Sequence, residues 1–388
     1  MLLLKTMTKV LIVGAGPAGL SAAISILGES QHDVEVMDSK CKVGTPARCA
    51  GGISSFMLEK LEAEASNRFN YFLLLALFGP GSIATTINRV RMYGPSMKYW
   101  ELRSVPNYGY VLDREVFEGY LAESVERLGG KIIVNTNVKT GFLDSAKAKY
   151  DYIVGADGPT STVRSWLGLP EAKREDMHLG VQKTFVMDYF PSETIELYFG
   201  EKAAPKGYAW AFSCGGNKVR MGLGVPLSEI SNDKTAAAKL LEDFIGRHVT
   251  EYSNAVEIAK LIPTGPMPST GVYGKVLLAG DALPSTDPAT GGGIIQALAS
   301  GLAAGKAIAE GKPENYDKHM DWLRKQNRTR LRLKKVLFSF TDEDLDLMIE
   351  TLQKFKPKSA SVTKELRRAV IYVIARKPWM LKKLFKAL

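Results

Sequence analysis

Cysteine is scarce in this 388-residue chain, with only Cys41, Cys49 and Cys214, and histidine is nearly as scarce, with four. An odd cysteine count with no C-x-x-C pair and no His-rich tract argues against a disulfide framework, a structural zinc site or a cysteine-held iron–sulfur cluster. No metal is expected, and a reducing cytoplasmic setting fits. Long hydrophobic runs are also missing. The opening Met1-Leu2-Leu3-Leu4 is cut by Lys5, too short for a signal-peptide core, and residues 71–78 (YFLLLALF) fall far below the ~20 residues of a membrane span. No repeat of ~20–50 residues recurs along the chain. What remains is an ordinary globular balance, 45% hydrophobic and 24% charged, which excludes wholesale disorder and leaves room for two or three domains.

The net charge of +10 is unevenly placed. Residues 328–388 carry 16 Lys and Arg against 6 Asp and Glu. That surplus equals the whole net charge, so the preceding 327 residues balance to zero and the basicity belongs to the C-terminal part. Nothing beyond this charge points to nucleic acid, and no nucleic-acid partner is expected.

Lys9-Val10-Leu11-Ile12-Val13 is a short apolar run of the kind found in buried parallel strands, and the Ala- and Leu-rich residues 17–27 then read as a helix. Residues 33–37 (DVEVM) form a second strand closing on Asp38, which completes a βαβ unit. Residues 152–155 and 275–279 have the same character and extend the sheet. Between them, residues 180–225 alternate with β-rich composition, which predicts an inserted antiparallel sheet. From residue 294 onward the pattern is helical. Thr341-Asp342-Glu343-Asp344 has the form of a capping box with acidic residues in the first turn, and Pro357 and Pro378 mark breaks.

Gly14-Ala15-Gly16-Pro17-Ala18-Gly19 fits G-x-G-x-x-G between a strand and a helix, where glycines permit a tight turn and close approach of a pyrophosphate to the helix N-terminus. Asp38, 24 residues beyond Gly14, is placed to accept hydrogen bonds from a ribose. A second glycine-rich element, Gly280-Asp281-Ala282 followed by Asp287-Pro288-Ala289-Thr290-Gly291-Gly292-Gly293, leads into a helix at Ile294. Its carboxylate can take ribityl hydroxyls, and its backbone N–H groups can face a flavin ring. No second G-x-G-x-x-G follows a strand, so no separate nicotinamide domain is visible.

Together these segments resemble the para-hydroxybenzoate hydroxylase-type flavoprotein superfamily, which includes aromatic hydroxylases, flavin halogenases and geranylgeranyl reductases. Gly155-Ala156-Asp157-Gly158 with Ser161 and Arg164 resembles its D-G segment. Tyr110-Val111-Leu112-Asp113-Arg114 with Phe117 resembles the stretch whose arginine faces FAD. The resemblance spans residues 9–311 and implies that the dinucleotide is FAD. Pro205-Lys206-Gly207-Tyr208-Ala209-Trp210-Ala211-Phe212 is similar to the P-x-G-Y-x-W-x-F-P motif of geranylgeranyl reductases, with Ser213 in place of the final proline. Tyr208, Trp210 and Phe212 alternate, so they share one strand face and could form an aromatic wall for an apolar chain. Periodicity alone would equally allow a plain core stripe. Pro46-Ala47-Arg48-Cys49-Ala50-Gly51-Gly52 resembles the P-x-R-C-G segment of the same reductases, with Ala50 in place of a glycine, and it implies that Arg48 and Cys49 lie beside the flavin. Tyr93-Gly94-Pro95-Ser96 also resembles a family segment, although a β-turn is sufficient explanation.

The expected architecture is α/β. A discontinuous Rossmann-like FAD-binding domain (residues 1–60, 107–168 and 270–312) carries an inserted antiparallel substrate domain (61–106 and 169–269), and a helical region (313–388) follows. The expected activity is FAD-dependent saturation of prenyl C=C bonds, of archaeal-type ether-lipid precursors, with Cys49 as catalytic candidate. Electrons would come from an external donor such as ferredoxin or reduced nicotinamide. An FAD monooxygenase or halogenase acting on an aromatic or quinone, and a non-catalytic electron carrier or lipid binder, stay open. Leu381, Leu384, Phe385 and Leu388 oppose Lys382, Lys383 and Lys386 on a basic amphipathic helix, with Trp379 just upstream. This helix could hold the protein peripherally on an anionic membrane or could dock on the protein itself.

Overall fold

Lys9–Val13 is apolar after its first residue, and Val10, Leu11, Ile12 and Val13 are all buried, which places this strand inside a sheet covered on both faces. The computed structural model describes residues 7–29, 32–68, 78–103, 107–230, 235–354 and 362–376. Its first sheet has six strands in the order Val272–Tyr273, Val276–Leu278, Tyr152–Gly155, Lys9–Val13, Asp33–Met37, Lys131–Ile133. All pairs are parallel except the edge strand Val272–Tyr273. The central strands therefore point their C-terminal ends the same way, toward Gly14, Ala156 and Gly280, and ligands of open parallel sheets bind at such ends.

Helices Pro17–Glu29 and Ile294–Ala309 pack in close contact with each other. A side chain at Gly301 or Gly305 would run into the backbone carbonyls of Ala18 or Ala22. Ser21 and Ser25 use that proximity, donating to the Leu298 and Leu302 carbonyls at 3.3 and 3.1 Å. Small residues on both helices thus fix the spacing between the first glycine motif and the second.

The second sheet has seven strands: Ser253–Pro263, Met177–Val186, Lys218–Pro226, Tyr208–Ser213, Thr194–Tyr198, Arg89–Tyr93, Tyr99–Arg103. It departs from the expected antiparallel pattern at one pair, Thr194–Tyr198 with Arg89–Tyr93, which is parallel. Gly94 lies in the turn joining the last two strands, where its N–H donates to the Lys98 carbonyl at 2.9 Å. Helix Ala236–His248 buries Leu241, Phe244 and Ile245 with Ala209, Ala211, Met221 and Leu223 of this sheet. A small antiparallel sheet, Gly52–Ser54, Gly109–Leu112 and Ile83–Ile87, stands between the two larger ones.

Helices Asp321–Leu337, Asp342–Lys354 and Val362–Arg376 complete the described structure. Met348, Ile349, Leu352, Val370 and Val373 share a core with Val90, Met92, Trp100 and Leu102 of the seven-stranded sheet. The capping box at Thr341 is formed as its sequence requires: Asp344 N–H donates to Thr341 Oγ1 (3.4 Å), and Thr341 N–H donates to Asp344 Oδ2 (3.2 Å). Among the described residues no helix is long and apolar enough to cross a membrane. Residues 69–77, which hold most of the YFLLLALF run, lie outside the described residues, and so do residues 377–388 with the expected basic amphipathic helix.

Candidate functional site

The glycine fingerprint divides its labour. Gly14 has φ +106° and lies so close to the Ala156 carbonyl that any Cβ would overlap it, while a Cβ at Gly19 would overlap the Gly14 carbonyl. Gly16 is different, because a Cβ there would meet nothing within 4 Å. The turn is thus tight where the backbone packs on itself and open at the one position where a pyrophosphate would approach. Pro17 begins the helix and Ala18 is buried beneath Gly280, where a Cβ would stand 2.8 Å from the Ala18 methyl. Asp38 follows the second strand and accepts from the N–H groups of Ala15 (2.7 Å) and Lys40 (2.8 Å). Its carboxylate has about four acceptor directions, so sites remain for ribose hydroxyls.

Asp157 holds the turn after the strand Tyr152–Gly155. It accepts from Ser161 Oγ (2.5 Å) and Val163 N–H (3.1 Å), and burial pushes its carboxyl up from the ordinary range. Its role in the free protein is therefore to cap the helix Thr162–Trp166 together with Ser161.

Asp281 sits in a single turn at Gly280–Ala282, accepts from Thr286 Oγ1 (2.9 Å) and pairs with Lys260 Nζ at 2.8 Å. Asp281 holds the Lys260 ammonium above its usual value, against the opposing effect of burial. Lys260 and this pairing were not legible in the sequence. Gly291, Gly292 and Gly293 then lead into Ile294–Ala309; Gly291 has φ +67°, and no side chain caps the helix start at Gly293. Its first N–H groups and partial positive charge are left for a ligand.

The neighbouring Asp287 anchors that glycine loop. Its Oδ1 accepts from Ala289 and Thr290 N–H at 2.9 and 3.3 Å, and Arg330 Nε lies 3.3 Å from its Oδ2. Burial pushes this carboxyl up, and Arg330 works in the opposite sense.

Cys49 stands on the loop leading into Gly52–Ser54 and accepts from Gly51 N–H at 3.3 Å. The small sheet brings this loop beside Arg114, because Gly52 pairs with Val111 just before the Asp113 cap of helix Arg114–Arg127. Burial works against the Arg114 guanidinium, yet the Glu118 carboxylate and the Cys49 sulfur hold its pKa above the ordinary arginine value. Arg114 Nε is buried with no hydrogen-bond partner, an orphan donor beside the Cys49 loop. Arg220 Nη1 donates to the Ala50 carbonyl (2.8 Å) and the Leu112 carbonyl (3.2 Å), tying the Cys49 loop down from the large sheet. Arg48, by contrast, is exposed.

The aromatic strand bridges the two loops. Tyr208, Trp210 and Phe212 lie on one face with ring centroids 5.9 and 6.5 Å apart. Across the sheet they face Gly224, Gly222 and Arg220, and a Cβ at Gly222 would come within 2.5 Å of the Trp210 ring. At one end the Tyr208 hydroxyl donates to the Thr290 carbonyl of the glycine loop. At the other end the Phe212 ring lies against Gly52, where a Cβ would approach to 2.7 Å. Trp210 is buried and donates Nε1–H to Gln182 Oε1 at 3.2 Å, whereas Tyr208 and Phe212 are half-buried. Burial raises the Tyr208 phenol and the Asp287 carboxylate adds to the rise, with Tyr108 and Cys49 in the same neighbourhood. Gly207 and Pro205 form the entry to the strand, and a Cβ on Gly207 would overlap the Gly224 carbonyl.

A family model described as the geranylgeranyl reductase catalytic domain matches residues 176–262, the core of the seven-stranded sheet. The chain is 32% identical to digeranylgeranylglycerophospholipid reductase 1 of Methanothermobacter thermautotrophicus, over 99% of this chain and 100% of that protein. It is 29% identical to the digeranylgeranylglycerophospholipid reductase of Methanosarcina mazei, over 97% and 96%. Among solved structures, a geranylgeranyl bacteriochlorophyll reductase-like protein of Thermoplasma acidophilum has the same fold, with TM-score 0.81 at 24% identity and coverage of 98% and 100%. Klebsiella pneumoniae HpxO, complexed with FAD and uric acid, shares the fold at TM-score 0.61 and 15% identity, covering 95% and 97%.

Proposed function

The chain belongs to the geranylgeranyl reductase family of oxidoreductases, and from that membership we propose that it binds FAD and saturates C=C double bonds of geranylgeranyl chains on archaeal-type ether-lipid precursors. One arrangement carries this reading: a strand of three aromatic rings runs from the glycine loop at Thr290 to the Cys49 loop at Gly52. An apolar chain laid along that strand would be led past both.

The open backbone at Gly16, the uncapped helix start at Gly293 and the orphan donor of Arg114 fit FAD. Gly14, Gly16, Gly19 and Asp38 would hold its adenosine half, and Asp281, Arg114 and the segment Gly291-Gly292-Gly293-Ile294 its flavin half. When bound, FAD supplies the hydride. An isolated alkene accepts hydride only if a proton reaches the other carbon, so the chain's own task is to exclude water, fix the alkene and hold a proton. Cys49 Sγ is the assigned proton holder, and the Arg114 guanidinium beside it would stabilise the thiolate left after transfer. Tyr208, Trp210 and Phe212 orient the chain, with Arg220 keeping the Cys49 loop in place. Electrons would come from an external donor such as ferredoxin, reduced nicotinamide or another reductant. The domain limits expected from sequence belong to the same proposal.

Anaerobic incubation of the FAD-loaded protein with dithionite and a geranylgeranylated ether lipid, read by mass spectrometry, tests the function. The expected products gain one H2 per saturated bond. Product formed only in oxygen would favour a monooxygenase or halogenase, and flavin reduction without product would favour a carrier.

A further inference from the structure

Helix Asp321–Leu337 is built with two unlike faces. Leu323, Arg324, Asn327, Lys334 and Val336 are buried. On this inner side Asn327 Nδ2 donates to the Thr286 carbonyl at 3.3 Å and Arg330 pairs with Asp287, so the helix lies directly over the loop that leads to Gly291-Gly292-Gly293. Lys325, Arg328, Arg332 and Lys335 are all exposed. At 100° per residue these four positions fall within about 80° of one another around the helix axis and span about 15 Å along it.

Surface cations on a helix can pair with acids three or four residues away. Here none of the four lies within 4.0 Å of a carboxylate among the described residues, although Lys98, Lys183, Lys206 and Lys306 elsewhere on the surface do. Positive charge is instead concentrated further. Lys60, from helix Ser55–Arg68, stands 5.1 Å over the Trp322 ring at the start of the same helix. Burial pushes the Lys60 ammonium down, and Arg330 and Lys325 push in the same direction against Glu64, so like charges crowd this end of the face. An anionic surface laid on the stripe would relieve that repulsion and complete the pairing the protein lacks.

We propose that the outer face of helix Asp321–Leu337, through Lys325, Arg328, Arg332 and Lys335, is a docking surface for an anionic membrane. It would set lipid headgroups about one helix diameter, ~10 Å, from the glycine loop. The proposal rests on the lipid-substrate reading only in naming a membrane as the anionic partner.

The test is co-sedimentation of the full FAD-loaded chain with vesicles, which involves no turnover, so it can fail while the enzymatic reading stands. Wild-type protein is expected to bind phosphatidylglycerol vesicles, to ignore phosphatidylcholine vesicles, and to release as salt is raised. At about fivefold per cation, the variant Lys325→Gln, Arg328→Gln, Arg332→Gln, Lys335→Gln should lose partitioning by more than about 100-fold. Its thermal midpoint and its turnover of detergent-dispersed substrate should stay unchanged, which shows that it is folded. Substituting Lys382, Lys383 and Lys386 by Gln should have the smaller effect. Equal vesicle binding by wild type and the four-site variant overturns the proposal. So does abolition of binding by the three tail substitutions alone, or binding of an acidic protein by a chain that ignores anionic vesicles.

Discussion

Arg220 interrupts a strand whose neighbours on the same face are Gly222 and Gly224. Those glycines leave room for Trp210 and Tyr208 across the sheet, whereas Arg220 reaches past Phe212 to hold the Ala50 and Leu112 carbonyls. Cys49 is therefore presented by a loop fastened from two sides, with Arg114 beside its sulfur. If its thiol gives the proton, Cys49→Ala and Cys49→Ser should both bind FAD normally while turnover drops about 10²–10⁴-fold, the range for losing a positioned acid. Stopped-flow measurement of reduced-flavin oxidation by substrate would show it, and unchanged rates in both variants would hand the role to water. The sequence signal for Cys49 was its motif, and for Glu118 the i, i+4 spacing from Arg114. Arg220 offered a fainter one, a charge in an R-x-G-x-G alternation. Lys260 and Arg330 offered none, because their partners Asp281 and Asp287 are brought to them only by the tertiary fold.

Among the elements, local chemistry was legible and long-range pairing was not. Helix Pro17–Glu29 announces itself by its glycine-rich entry and apolar run, and Asp342–Lys354 by the reciprocal Thr341–Asp344 cap. The parallel pairing of Thr194–Tyr198 with Arg89–Tyr93 joins strands about a hundred residues apart and has no local signature. The junction of helix Asp321–Leu337 with strand Met177–Val186 is equally hidden. There Lys334 Nζ donates to the Thr264 carbonyl (3.0 Å) and to Thr264 Oγ1 (2.9 Å), and that hydroxyl lies 2.6 Å from His178 Nδ1. The Thr264 hydroxyl can give its proton to the Asp176 carbonyl (3.4 Å) or to Nδ1, and the much shorter contact to Nδ1 suits an unprotonated ring nitrogen that accepts it. Burial, with the Lys334 charge nearby, accordingly pushes His178 from its ordinary 6.5 down to about 3. Between those values the unfolded chain binds a proton that the native chain refuses, so the contribution of His178 is complete above about pH 6.5 and is lost as pH falls toward 3. Thermal unfolding of wild type should therefore drop steeply between pH 7 and pH 4, and His178→Gln, which can accept the same bond without titrating, should flatten that slope. An identical acid slope in the variant would show that His178 is not the group responsible.

At the scale of the molecule, the charge of +10 sits on a body that is otherwise neutral. Part of the C-terminal surplus, from Arg328 through Lys335, lies on the helix that also buttresses the glycine loop. Three sheets and two closely packed helices converge on one locus where the ends of the parallel strands, the Cys49 loop and the aromatic strand meet. Such a convergence suits a reaction that needs a flavin, an apolar chain and a proton in one dry space. The most direct test is to reduce the FAD-loaded enzyme fully, remove excess reductant and add a geranylgeranylated ether lipid without oxygen while following the flavin absorbance. The account predicts reoxidation by the lipid alone, with one double bond saturated for each flavin oxidised. A flavin that stays reduced until air is admitted would contradict it.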